Sequence, residues 1–134
     1  IMANGTIAFD TLSTSGQITG TAKSVDTDYL AYGSAKVWYG FDLHGGQNSF
    51  EGSFNASSGA DNGTGDATIT YTNNMDSTNY IFASGGTDSN LVTTGGDATD
   101  TKSHTASTLA SRSRTNANST IDSLHQIIIM GSLA

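Results

Sequence analysis

The sequence predicts an all-β fold: an antiparallel β-sandwich or meander preceded by an extended amino-terminal arm. Three observations carry this. Gly, Ser, Thr, Asn and Asp make up 75 of 134 residues, while strong helix formers are scarce, with a single Glu and three Lys. AKVWYGF (35–41) and ATITYT (67–72) alternate with the period of two that a half-buried strand needs. Clusters of turn residues separate such segments at short intervals, as in sandwiches. Low apolar content (35%) and net charge −7 would suit a disordered chain. The recurring aromatics and the regular alternation argue for a folded one.

Residues 1–30 hold short extended pieces: Ile7 and Phe9 share one face, and Ile18, Gly20 and Ala22 alternate further on. They carry too little apolar material for a core of their own, so an arm held by a neighbouring subunit or a larger assembly is expected. Residues 31–134 form the β module. In 35–41, Ala35, Val37, Tyr39 and Phe41 share one face, with Lys36, Trp38 and Gly40 on the other. HGGQ (44–47) is a turn. In NSFEGSF (48–54), alternation puts Phe50, Gly52 and Phe54 together and Glu51 opposite, in solvent. Ala67, Ile69 and Tyr71 form a buried face, and Thr68, Thr70 and Thr72 a solvent face. NNMDSTNY (73–80) turns the chain into a strand at 79–84. Residues 85–118 are poor in core side chains; thin strands are expected near 89–94 and 107–115. In STIDSLHQIIIMGSLA, Ile121, Ile127 and Ile129 share one face, and Leu124, Ile128 and Met130 the other. A strand apolar on both faces is either central in a doubly covered sheet or lies at a subunit interface. With so little core elsewhere, these six residues are assigned to an interface around a homotrimer axis.

Composition excludes several chemistries. Without cysteine there is no disulfide framework and no thiolate. Acidic balance argues against nucleic acid. Uninterrupted apolar runs reach only four residues, as at Ile127–Met130, far short of a membrane span. No secretory leader is expected, since IMANGT lacks a basic region and an apolar run.

The acidic loop Asp61-Asn-Gly-Thr-Gly-Asp66 invites a calcium or phosphate reading. It lacks the closing Glu of an EF-hand, with Thr72 at that position, and the Lys of a phosphate loop. A turn in which Asn62, Gly63 and Gly65 supply positive φ is the better reading. His44, His104 and His125 show no metal-ligand spacing. A trimer could gather His125 on its axis, though a structural role is favoured. There is no Gly-x-Ser-x-Gly elbow. Glu51 is the acid nearest aromatic residues. Trp38 could stack on a sugar or fill a second core face; the core is favoured. No cofactor, metal or catalytic residue is expected.

Taken together, AKVWYGF, SFNASSGADNGTGDATITYT, MDSTNY and the terminal IIIMGSLA resemble small tail-fibre-like virion proteins of marine bacteriophages and related prophages. The pattern is matched at Ala35, Lys36, Trp38, Ser53, Phe54, Asn55, Asp61 to Asp66, Met75, Asn79 and Tyr80. It departs at Asp76, where such proteins often have proline, and at LHGGQN, where they often carry a regular strand. The resemblance implies a β-rich, commonly trimeric virion component, a short tail fibre or spike assembled in the host cytoplasm. Its arm would dock on other virion proteins through Ile7, Phe9 and Ile18. Loops carrying His44, Asn74 and Asp76 would face a host glycan or protein. Two alternatives stand beside it: a capsid decoration protein using the same arm, and a polysaccharide depolymerase relying on Glu51, Asp61 and Asp66.

Overall fold

A computed structural model of the protein describes residues 16–19, 24–85, 91–94 (backbone), 104–115, 117 and 119–134. Ile7 and Phe9 lie outside the described residues. The described part begins with an antiparallel ribbon, β1 (Gln17–Thr19) and β2 (Ser24–Asp26), whose side chains are mostly exposed. The extended reading of the first thirty residues holds for these two strands and gives way at Thr27, where Thr27–Gly33 is a helix, α1. Asp26 caps it by accepting a hydrogen bond from the Asp28 N–H at 3.0 Å, and Asp28 in the first turn suits the helix dipole. None of its residues is buried.

Among the described residues, eight strands build the module: β3 (Ala35–Asp42), β4 (Ser49–Phe54), β5 (Ala56–Gly63), β6 (Asp66–Tyr71), β7 (Ile81–Gly85), β8 (Leu91–Thr94), β9 (Thr108–Arg114) and β10 (Leu124–Met130). They form two four-stranded sheets, ordered β4-β3-β10-β7 and β5-β6-β9-β8, with every neighbouring pair antiparallel. The all-β sandwich expected from the sequence is what forms, and the thin strands fall close to where its sparse apolar residues placed them. Among the described residues, no helix is long and apolar enough to cross a membrane.

One apolar layer joins the sheets. Val37, Tyr39, Phe41, Ile127 and Ile129 come from the first sheet; Ala67, Ile69, Tyr71 and Leu109 come from the second. Leu43, Met75 and Tyr80 close the layer from the connections. The sheets approach closely at Gly59 on β5, where a Cβ would fall 2.3 Å from the Phe41 ring. Phe50 packs edge-on against Phe41, with ring centroids 5.1 Å apart.

Two sequence expectations need correction here. A bulge between Gly40 and Phe41 leaves Glu51 unpaired: Gly40 faces Gly52, but Phe41 faces Phe50. Phe50 therefore turns toward the core while Gly52 and Phe54 turn outward, so the three do not share a face. Ile121 lies outside β10, in the connection before it. Within β10, Ile127 and Ile129 are buried in the chain's own core, and Ile128 is exposed on the outer face.

Strand directions define two poles. β3 starts where β10 ends, so the chain joins and leaves the sandwich at one pole, where the Ala134 N–H donates to the Asn74 carbonyl at 2.9 Å. The Asp76 N–H donates to Ser132 O at 3.0 Å in the same place. The connection after β3, the Thr64–Gly65 turn and the crossover before β10 occupy the other pole, where the Leu43 N–H donates to Ser123 O at 3.3 Å.

The passage from the first sheet to the second takes one residue, Asn55, in the left-handed region at φ 57°. Its amide NH₂ donates to Lys36 O and Asn73 O, each at 3.0 Å, and its Oδ1 accepts the Asn73 backbone N–H at 2.7 Å. Asn55→Ala should cost roughly 2–3 kcal/mol in urea unfolding, from lost hydrogen bonds and an unfavourable φ. Asn55→Gly should cost about 1 kcal/mol less, because glycine accepts that φ.

Candidate functional site

Three places in the sandwich gather chemistry-bearing residues. The first is inside. His125 on β10 is fully buried, with Nδ1 2.7 Å from Ser111 Oγ and Nε2 3.1 Å from Ser113 Oγ, both on β9. Ser113 Oγ donates to the Ile121 carbonyl, so it accepts from the ring, which puts the imidazole proton on Nε2. Nδ1 then accepts from Ser111. A serine beside a histidine invites a nucleophile–base reading. Both Ser111 and His125 have zero exposure, however, so no substrate reaches them. The group ties one sheet to the other, and His125 does not present its ring to a trimer axis.

Burial pushes the His125 pKa down to about 4, partly opposed by the negative charges of Asp66 and Asp122. The imidazole is therefore neutral at neutral pH.

The second place is the acidic turn. The Asp61 carboxylate accepts the Gly63 N–H at 2.8 Å, and Gly63 and Gly65 take φ 123° and 70°. Asp66 pairs with Arg112, its direct cross-strand partner, at 3.1 Å. The Gly65 N–H donates to Asp122 Oδ1 at 2.6 Å, and a Cβ there would lie 2.6 Å from the Ile121 carbonyl. Each carboxylate thus holds backbone or a neighbour, as the turn reading expects. Among the described residues, no group of three His, Asp or Glu is placed to hold a metal. Asp61 and Asp66 stand on the second sheet and Glu51 on the first, so one chain does not bring the three together.

The third place is the outer face of the first sheet. Sequence alternation alone places Trp38 opposite Val37, Tyr39 and Phe41 and favours a second core face for it. The structure corrects this: Trp38 is 45% exposed, because the apolar layer covers only the inner side of β3. Its cross-strand partners Phe54 and Ile128 are exposed beside it, and Ile81 lies further along that face. Next to this apolar row lies an open depression of about 700 Å³. It is lined by Trp38, Glu51, Gly52, Gly85, Gln126 and Ile128, among others.

The loop residues read as receptor-facing fall at opposite poles. His44 sits in the 3-10 turn after β3, with its backbone N–H and Nδ1 2.8 and 2.7 Å from the same Asp42 oxygen. Hydrogen bonds from the His44 backbone, then from its ring, hold the Asp42 carboxyl below its ordinary range. Asn74 and Asp76 lie at the pole where the amino-terminal segment arrives, tied to Ala134 and Ser132. Of the interface residues, Leu124, Ile128 and Met130 share the outer face with Trp38. Ile18 is partly exposed on the β1–β2 ribbon. Sequence reasoning missed the glycine row and Gln126. Glycine at 40 and 52, on alternating positions of adjacent strands, was the available signal.

Against protein-family models, curated proteins and solved structures, no match to this chain is found.

The buried histidine gives the fold a defined pH dependence. Its folded pKa is below the unfolded 6.5, so the unfolded chain takes the proton first as pH falls. Stability is full above about pH 6.5 and declines between about 6.5 and about 4. The loss from this group approaches about 3 kcal/mol. Urea unfolding at stepped pH should show this slope, and His125→Asn should flatten it even though that variant starts less stable.

Proposed function

We propose that the chain is a structural subunit of a bacteriophage virion, a short tail-fibre or spike component that docks through its amino-terminal segment and works by assembly and adhesion. The observation that carries this is the apolar surface that a single copy leaves uncovered. Helix α1 presents Tyr29 at 78% and Tyr32 at 60% exposure, with Leu30 between them, and buries none of its residues. Such a helix gains its stability from what it packs against. The outer face of the first sheet, with Trp38, Ile81 and Ile128, is a second uncovered surface. The motif resemblance supplies the virion context.

The topology arranges the parts. The docking segment reaches the sandwich at the pole that holds Asn74 and Asp76. Docking there would direct His44 and the Thr64–Gly65 turn outward, so they are the loops best placed to meet a host surface.

Light scattering on the purified chain should give the mass of a trimer; a monomer would defeat the self-association. Tyr29→Ser combined with Tyr32→Ser should leave the unfolding midpoint within about 0.5 kcal/mol of the parent, since exposed positions contribute little. The same variant should be excluded from assembled particles. Antibody labelling of intact virions should mark tails or vertices. Capsid-wide labelling would make the protein a decoration subunit, and unlabelled particles would remove the virion reading.

A further inference from the structure

The strand register of the first sheet lines its outer face into rows. Phe54, Trp38, Ile128 and Ala83 pair across β4, β3, β10 and β7 to form one row. The adjacent row is Gly52, Gly40, Gln126 and Gly85. Three of its four members are glycine, so it forms a trough across the whole sheet, about 14 Å long from three strand spacings. Trp38 walls it on one side, reaching over Gly52, where a Cβ would come within 3.4 Å of the indole. Glu51, displaced outward by the bulge, stands beside Gly40, and Gln126 rises from the trough itself.

We propose that this trough is a binding site for a neutral hexose oligosaccharide, with Trp38 as its stacking wall. A pyranose ring has an apolar C–H face that packs on an indole and a rim of hydroxyls that need partners. The trough offers both: an exposed indole, and a carboxylate and an amide that accept and donate hydrogen bonds. At Gly40 and Gly85 the floor carries no side chain of its own, so a flat ring can approach the sheet there. Charge selects the class of sugar. With Glu51 at the site and −7 on the chain, an anionic saccharide would be repelled. The main competing occupant is a second copy of this chain. Packing two such faces together would desolvate Glu51 from each copy without a cation of the trough to pair with, which disfavours it. The inference deepens the adhesive part of the virion reading and rests on that reading only for where the sugar is met.

Trp38 is the chain's one tryptophan, so its emission reports this site alone. Purified protein is titrated with maltohexaose, cellohexaose and laminarihexaose, and with a hyaluronan hexasaccharide as the acidic comparator. At least one neutral probe should change the emission saturably, with half-saturation on the order of 1 mM or tighter, while the acidic probe should not. Glu51→Gln should weaken the effect about tenfold, the loss of one charge-assisted hydrogen bond. Gly40→Val fills the trough where a Cβ meets only ordinary contacts of 3.6 and 3.7 Å. That variant should unfold at the same or higher urea concentration, since valine suits a strand, yet lose sugar binding. No response to any neutral probe overturns the site, as does equal binding of the acidic one. Emission that follows protein concentration and ignores sugar assigns the face to contact between copies and also overturns it. Sugar binding by a protein that labels no virion would remove the virion reading and leave this site standing.

Discussion

Among the described residues, one layer of side chains shared between two sheets makes the core, and most other features follow from that limit. Most of the large apolar residues of β3, β6 and β9 and alternate ones of β10 face inward, while Trp38, Leu124, Ile128 and Met130 face outward. Among the described residues, no second apolar layer covers that outer face, the amino-terminal ribbon or α1. Even the inner layer is completed with polar material: Ser111, Ser113 and His125 fill the distal part of the space and satisfy one another. A buried polar group that is fully hydrogen-bonded costs little and fixes how the sheets align. The same group makes the alignment sensitive to acid.

The corners follow from the same economy. Asn55 carries the chain between sheets in one residue because its side chain bonds the start of β3 and the turn after β6 together. At the opposite pole, Gly65 sits where the β6, β9 and β10 approaches converge, too close to Ile121 and Ser113 for any side chain. These two positions lie inside the SFNASSGADNGTGD stretch, as does Gly59, which explains why that stretch reads so distinctively: it contains one corner and two close approaches, each with a strict geometric demand.

Much of the fold was legible in the sequence. Val37–Tyr39–Phe41 and Ala67–Ile69–Tyr71 alternate cleanly, and both triplets are buried as their period requires. The thin strands at 91–94 and 108–114 were legible from sparse apolar residues alone. What alternation could not see was the bulge at Glu51, because a period of two assumes that no residue is skipped. It also could not choose a face for Trp38, since both sides of β3 carry apolar residues and the choice depends on how many sheets cover them. Helix α1 was missed because its short TDYLAYG run is no more helical in composition than its surroundings; the Asp26 cap decides it. The trough is a property of register across four strands, which no single segment contains.

The placing of the first and last strands of the module has a mechanical meaning. β3 and β10 are antiparallel neighbours in the middle of the first sheet, with the start of one beside the end of the other at one pole. A force applied between the two ends would open their ladder one hydrogen bond at a time, like a zip. A force applied between the amino-terminal segment and the far pole would instead run along the strands and load a whole ladder at once. The sandwich therefore resists tension along its strands better than tension across the pole where β3 begins and β10 ends.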